Sequence, residues 1–120
     1  MLGKDNVVNE KAMLFAIRIV NLYKFLCDKN EFVMSKQILR CGTSIGANIA
    51  ESTRAESNGD FIHKLSISRK EGQETMFWLE LLHKTDFISA SQYTSMHNDC
   101  EELLKLLTSI ILSMKKIRNS

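Results

Sequence analysis

Two carboxylate–histidine pairs have a spacing that metal sites in helical bundles use. Asp60 and His63 are three residues apart, and so are Glu80 and His83. Carboxylate-bridged di-metal bundles draw such pairs from two different helices, and each of the other two helices adds a glutamate. Both pairs here fall in one helical segment, about 30 Å apart at a rise of ~1.5 Å per residue. They cannot share one site, so no metal and no other cofactor is expected.

The remaining reactive side chains form no recognisable catalytic set. His97 and Cys100 supply two zinc ligands, whereas a structural zinc site uses about four. Gly42 and Gly46 lie in a helical pattern with no preceding strand, so they do not form a phosphate-binding loop. The candidate nucleophiles have no histidine within local reach; they are Cys41, Ser44, Ser52 and Ser57. We therefore expect no enzyme, and a catalytic site assembled where subunits meet is the least favoured hypothesis.

A row of basic and small residues follows one side of the second helical segment. At ~100° per residue its members lie within about 80° of one another; they are Lys36, Arg40, Thr43, Ala47, Glu51 and Arg54. Lys11 and Arg18 form a similar pair on the first segment. Such a row can follow a phosphate backbone, because each base releases counterions and arginine binds two phosphate oxygens. Alternatively, Arg40 and Arg54 pair with Glu51 or with acids of a neighbouring subunit, or only contact solvent.

The placement of the basic residues matters more than their number. The formal net charge is only +2, which by itself favours no class of partner. Most of the aromatic residues lie on apolar helix faces away from the basic row, whereas single strands are bound by stacking their bases on exposed aromatic rings. A nucleic-acid partner is therefore expected to be structured RNA rather than a single strand.

Apolar residues recur with the 3.6-residue period of an α-helix in four segments, which predicts four helices. The chain contains no proline among its 120 residues, where average usage gives about six. The predicted helices span residues 9–29, 32–56, 60–86 and 91–118. Long helices joined by short connections pack as antiparallel neighbours. The sequence thus predicts an all-α protein with a single domain, residues 1–120, folded as an antiparallel up-down-up-down four-helix bundle.

Two of the predicted helices carry large apolar residues outside their core row. These residues are Leu14, Ile17 and Phe25 on the first helix and Ile67, Trp78 and Leu81 on the third. A helix in a monomeric bundle needs only one apolar stripe, so a second apolar face indicates a subunit interface. The alternative is that a helix packed between two neighbours simply has a wide apolar arc. We favour self-association into a homo-oligomer.

Cysteine usage and the amino terminus predict the cellular compartment. The three cysteines, Cys27, Cys41 and Cys100, show no C-x-x-C spacing. No basic stretch followed by an apolar core begins the sequence, so no secretory signal is predicted. No apolar run reaches the ~18 residues of a membrane span. We expect a cytoplasmic protein with reduced thiols and no membrane partner.

Part of the second helical segment resembles a family signature. The segment Gln37–Arg40, followed by Thr43–Glu51 with the letters TSIGANIAE, is similar to that of bacterial four-helix bundle proteins encoded by intervening sequences in 23S rRNA genes. Accessory proteins of diversity-generating retroelements are related to this family. Phe61–Leu65 and Glu74–Leu82 fit its third helix, and the resemblance covers about residues 10–115. The family often has proline where Gly46 stands and glycine where Ser52 stands, so this chain departs from its pattern at two positions.

The resemblance implies a cytoplasmic bundle that forms a homopentamer, lacks catalytic activity and has a nucleic-acid partner. Together with the residue patterns it gives two hypotheses. In the first, the assembled protein binds structured RNA or other nucleic acid, RNA or DNA, electrostatically through Lys36, Arg40, Arg54, Arg18 and Lys11. In the second, it is a protein-interaction scaffold that docks a partner enzyme, such as a reverse transcriptase, without direct nucleic-acid contact.

Overall fold

Four α-helices make up the part of the chain that the structure describes. The computed structural model describes residues 2–119, and the side chains of residues 7–117. Helix α1 spans Leu2–Asp28, α2 spans Met34–Ser52, α3 spans Asn58–Lys84 and α4 spans Ala90–Asn119. Helix α1 packs on α2, α2 on α3 and α3 on α4, and α4 returns to contact α1. This order confirms the predicted all-α, up-down four-helix bundle.

Local hydrogen bonds define the starts of α3 and α4. Ser57 Oγ accepts the backbone N–H of Asp60 at 3.1 Å, which caps α3. At α4, Ser89 Oγ accepts the N–H of Gln92, and the Gln92 side chain accepts the N–H of Ser89. This reciprocal pair is a capping box, which satisfies two backbone donors that the first turn leaves free.

Residues in the left-handed backbone conformation end α1 and α3. Asn30 and Asp86 have φ angles of 62° and 66°. In each case the N–H of the following residue bonds back to a helix carbonyl, that of Leu26 for α1 and that of Leu82 for α3. This geometry stops the helix and reverses the chain direction, and asparagine and aspartate tolerate it better than most residues.

A carboxylate takes the place of an ordinary cap at the start of α2. Val33 occupies the cap position and provides no side-chain hydrogen bond. Instead the carboxylate of Glu31 accepts the N–H groups of Val33 at 3.2 Å and Ser35 at 2.7 Å. A negative charge is favourable here because the amino end of a helix carries partial positive charge.

The helix ends differ from the predicted bounds, most of all in α1 and α2. Helix α1 begins at Leu2 rather than at residue 9, and α2 covers 34–52 rather than 32–56. After Ser52 the N–H groups of Thr53, Arg54 and Ala55 bond to carbonyls three residues back. The change from hydrogen bonds that span four residues to bonds that span three ends the α-helix. Arg54 therefore lies in the α2–α3 turn and not on α2, so its helical angle no longer places it in the basic row.

The core contains most of the predicted apolar rows. Its largest fully buried side chains are Phe15, Ile19, Leu26, Ile38, Ile45, Ile49, Leu65, Leu79, Leu82, Leu103, Leu107 and Ile110. By helical angle Asn48 and Ile117 fall on the apolar sides of α2 and α4, but neither is fully buried. The amide of Asn48 is only half-buried and donates to the carbonyl of Ser44 on its own helix at 2.9 Å. Ile117 is exposed near the end of α4.

Candidate functional site

Arg40 is held by two acids of α3. Its guanidinium contacts Glu71 at 3.2 Å and Glu74. The hydrogen bond with Glu74 raises the pKa of Arg40 above its ordinary value. Glu74 also accepts the indole N–H of Trp78 at 3.0 Å. The charge of Arg40 is thus compensated within the chain, by Glu71 and Glu74 and not by Glu51, which was one of the alternatives.

The same network stabilises the ionised form of Glu74. Hydrogen bonds donated by Trp78 and Arg40 lower the pKa of this carboxyl below its usual range. Carboxylates that accept several hydrogen bonds favour the charged form. The network joins α2 to α3 and fixes the orientation of the Trp78 indole at the surface between them.

Lys36 and Arg54 differ from Arg40 because neither has a carboxylate partner among the described residues. Both side chains are exposed. Arg54 lines a surface cleft together with Glu51, Glu56 and Lys64. Of the basic row predicted on α2, these two residues are available to a ligand without breaking an ion pair.

Lys11 and Arg18 cross from α1 to acids of α4. Arg18 contacts Asp99 at 2.5 Å and donates to Ser95 Oγ at 2.8 Å. Lys11 lies 2.6 Å from Glu102, and this hydrogen bond raises the pKa of Lys11. The two pairs link antiparallel helices, and they lie on a different side of the bundle from the Arg40 network. The five predicted basic residues therefore do not form one continuous surface.

An apolar row is exposed on α1. Leu14 is 63% exposed and Ile17 is 50% exposed, and both belong to the predicted interface residues. Met13 and Val20 extend the same row, with Met13 63% exposed, and neither was among the predicted interface residues. Their seven-residue spacing places them on one side of the helix, so periodicity alone could have found them.

The other predicted interface residues are less exposed. Phe25 is half-buried against the core, and the ammonium of Lys29 lies 4.7 Å from its ring centre. Ile67, Trp78 and Leu81 are half-buried on α3. The alternative of a wide apolar arc therefore describes these four residues better than it describes Leu14 and Ile17.

An aromatic pair on α3 adds to the exposed apolar surface. The rings of Phe77 and Trp78 meet edge to face, with centres 5.1 Å apart. Phe77 is 60% exposed and was not among the predicted interface residues. It lies one position before Trp78, on the more exposed side of that helix.

Other reactive groups are dispersed or buried. Within the described residues no group of three or more histidine, cysteine or acidic side chains could hold a metal ion. His83 and His97 instead flank the ring of Tyr93, which stacks on His83 with centres 4.8 Å apart. Burial raises the pKa of Cys41 and raises that of Cys100 to about 12. Both thiols are thereby kept protonated and poorly nucleophilic.

Comparison with known proteins gives the chain a family. Residues 4–109 match the model of the 23S rRNA-intervening sequence protein family. The crystal structure of a protein with unknown function from the S23 ribosomal protein family of Bacteroides thetaiotaomicron is similar, at 61% identity and a TM-score of 0.89. The match covers 90% of this chain and 97% of that one. No curated protein matches the sequence.

None of the described helices has the length and apolarity that a bilayer crossing requires. The fold is a four-helix bundle, and both the family model and the crystal structure cover most of its length. The chain therefore belongs to the 23S rRNA-intervening sequence protein family.

Proposed function

We propose that this protein is a non-enzymatic binding module that self-associates, and that the assembled particle binds structured RNA or another nucleic acid. The observation that carries the proposal is the exposed apolar row on α1, formed by Met13, Leu14, Ile17 and Val20. Contiguous apolar surface of this kind on a small protein is typical of interaction sites. The homopentamer implied by the family resemblance is the assembly that we expect.

The position of the row favours a second copy as its partner. The buried side of α1 already packs on α2 and α4, so none of the four described helices remains to cover the opposite side. Four large apolar side chains at helical spacing form a stripe along which another helix can pack. The flanking residues Glu10, Asn21 and Lys24 are polar and exposed, which gives the stripe the polar rim of a protein interface.

Sedimentation at micromolar concentration tests the assembly. We expect the unaltered chain to sediment well above its 13.7 kDa subunit mass. Leu14→Lys combined with Ile17→Lys should yield a folded monomer, because a buried unpaired charge in an interface is strongly unfavourable. Leu112→Lys is the matched control, since Leu112 is 57% exposed on α4, outside the row. A monomeric unaltered chain, or equal effects of both changes, would contradict the proposal.

The nucleic-acid part of the proposal rests on Lys36 and Arg54. Both are exposed and have no carboxylate partner among the described residues, so phosphate can approach them without displacing an acid. A single copy offers only these two positions of the predicted basic set, but an oligomer repeats them, and multivalent contact raises the overall affinity without any new type of contact. Assembly and nucleic-acid binding are therefore coupled in this proposal.

Salt dependence tests the contribution of these two residues. With duplex RNA as the probe, Lys36→Ala plus Arg54→Ala should lower the affinity and reduce the slope of log K against log salt by about one per residue removed. Lys70→Ala plus Lys105→Ala removes the same charge from α3 and α4 and should change the slope little. Affinity independent of salt in the unaltered protein would rule out electrostatic binding.

A scaffold that docks a partner enzyme, such as a reverse transcriptase, is the second candidate. Two observations favour it: acids compensate Lys11, Arg18 and Arg40, and the Phe77–Trp78 pair forms an aromatic surface patch. Exposed aromatic residues are enriched at protein interfaces. Co-purification with a co-expressed reverse transcriptase should then survive nuclease treatment and be lost with Phe77→Ala but not with Leu112→Ala. Loss on nuclease treatment would exclude direct docking.

A further inference from the structure

The apolar row on α1 and an aromatic patch on α3 lie on different sides of the bundle. The α1 row consists of Met13, Leu14, Ile17 and Val20. The α3 patch consists of the exposed Phe77 with the half-buried Trp78 and Leu81. Among the described residues, α1 and α3 each contact α2 and α4 but not one another, so the two helices are diagonal. One copy therefore cannot bring the row and the patch together.

The row and the patch lie at the same height along the bundle. The side chain of Ile19 lies against Gly42 of α2, and the Oγ1 of Thr75 lies 3.3 Å from the Sγ of Cys41, the preceding residue of α2. Ile19 and Thr75 are therefore at about one height on the two sides of α2. The α1 row ends one residue after Ile19, and Phe77 comes two residues after Thr75. At a rise of ~1.5 Å per residue these steps are only a few ångströms.

Equal height is what a closed ring requires of two different surfaces that meet. Successive copies in a ring are related by rotation without translation, so surfaces of different kinds meet only at one height when the bundles stand along the ring axis. The α3 patch is also turned toward α2, because the indole of Trp78 donates to Glu74, which holds Arg40 of α2. The patch thus does not point directly away from α1, and each copy is rotated relative to the last.

Charged residues beside the row and the patch select the direction of pairing. Lys24 lies five residues after Ile19, and Glu80 lies five residues after Thr75. Both are exposed. If α1 of one copy and α3 of the next run in the same direction, Lys24 faces Glu80; in the opposite direction it would face Lys70. Glu80 also lies 3.7 Å from a lysine of its own helix, but such an exposed pair is weak. Opposite charges at the edge of an interface therefore favour the same direction and set orientation more than affinity.

We propose that the α1 row of one copy packs on the α3 patch of the next copy, with the two helices running in the same direction. The inference rests on the self-association proposed above and names the second surface of that contact. A row that paired with the same row of another copy would leave the α3 patch exposed, whereas this head-to-tail contact covers both. It is also compatible with the odd-numbered ring expected above, because a two-fold contact joins copies only in pairs.

Mixing two variants that each lack one surface tests the contact. Leu14→Lys plus Ile17→Lys places charge in the α1 row, and Phe77→Lys places charge in the α3 patch, which strongly disfavours burial of either surface. Each variant alone should sediment as a monomer. The equimolar mixture should sediment at about twice the 13.7 kDa subunit mass, because each variant supplies the surface that the other lacks and the complex cannot grow further. Leu112→Lys, on α4 outside both surfaces, should assemble like the unaltered chain.

The outcomes separate this inference from the self-association on which it rests. A monomeric unaltered chain contradicts both. If Phe77→Lys keeps the assembly that the α1 change abolishes, the α1 row pairs with itself, so self-association stands and the head-to-tail contact is refuted. A mixture that stays monomeric refutes the contact as well. The replaced residues are all at least half exposed, so circular dichroism should show unchanged helix content. Phe77→Ala, which adds no charge, should raise the concentration needed for assembly about tenfold, as expected for an aromatic anchor.

Disulfide trapping tests the direction of the two helices. In a Cys27→Ser background, Lys24→Cys plus Glu80→Cys should link copies into a ladder on a non-reducing gel, because the two positions face one another across the contact. Lys24→Cys plus Lys70→Cys is the matched control, since residues 70 and 80 are ~15 Å apart along α3 and a disulfide needs α-carbons within about 7 Å. A ladder from the control pair instead would refute the same-direction arrangement, and a ladder from neither pair would refute the contact at this height.

Discussion

The α-carbon of Gly42 on α2 lies directly against the side chain of Ile19 on α1. A β-carbon at Gly42 would come within 2.7 Å of Ile19 Cγ1 and Cδ1, whereas one at Gly46 would lie 3.6 Å from its nearest neighbour on Ala12. The two glycines of α2 therefore differ, since Gly42 is required by the close approach of two helices and Gly46 is not.

Alanine at these two positions should have opposite effects on stability. Gly42→Ala should lower the free energy of unfolding, because crowding a packed core costs about 1–3 kcal/mol and Ile19 is fully buried. Gly46→Ala should raise it by roughly 0.5–1 kcal/mol, because alanine loses less backbone entropy in a helix. Urea denaturation of both variants measures the difference. Two changes of the same sign would show that the helices do not approach as described.

The lowered pKa of Glu74 predicts a pH dependence of stability. A carboxyl whose pKa is lower in the folded state contributes stability that is complete above its unfolded pKa, ordinarily 4.5, and is lost as the pH falls through the folded value. Glu74→Gln should therefore destabilise the protein at neutral pH, by no more than the ~0.2–1 kcal/mol of an exposed ion pair, and should flatten the curve below pH 4.5. Denaturation across this range, with Glu80→Gln as the control, checks the slope.

The three cysteines should react at different rates with a thiol reagent. Cys41 and Cys100 are buried with raised pKa values, whereas Cys27 is half-buried. Because the thiolate is the reactive form, the folded protein at mildly alkaline pH should show one fast-reacting thiol, which Cys27→Ser removes. In urea all three thiols should react. A second fast thiol in the folded Cys27→Ser variant would mean that the core opens more readily than its packing indicates.

Releasing Arg40 from its acids should strengthen binding to nucleic acid if Arg40 belongs to the interface. Glu71→Gln plus Glu74→Gln removes both carboxylates that hold the guanidinium. With duplex RNA we expect a steeper salt slope, by about one phosphate contact. The control is Glu10→Gln plus Glu80→Gln, which changes the net charge equally at exposed positions away from Arg40. Equal effects of the two pairs would assign the gain to net charge alone.

The sequence predicts the bounds of the helices less accurately than it predicts their number. The predicted α2 extends to residue 56, because residues 53–56 continue the angular pattern, but the chain tightens after Ser52 and places Arg54 in a turn. The predicted α4 begins at residue 91, whereas the observed helix begins at Ala90, directly after the Ser89 that exchanges hydrogen bonds with Gln92. The end of α2 and the start of α4 both depend on which of several possible local hydrogen bonds form. The residue types alone do not determine which of these bonds form.

The sequence by itself determined the number of helices, their antiparallel order and most of the core, because the 3.6-residue period of the apolar residues fixes which side of each helix must be buried. It also indicated the exposed side of α1, where Leu14 and Ile17 point away from the core row. Only the tertiary structure decided which charges remain free. Arg40 meets Glu71 and Glu74, and Arg18 meets Asp99, across helices whose rotation and axial register depend on how the core side chains interlock. A helical angle places a charge on one side of its own helix, but only the packing of the neighbouring helix determines which acid it contacts.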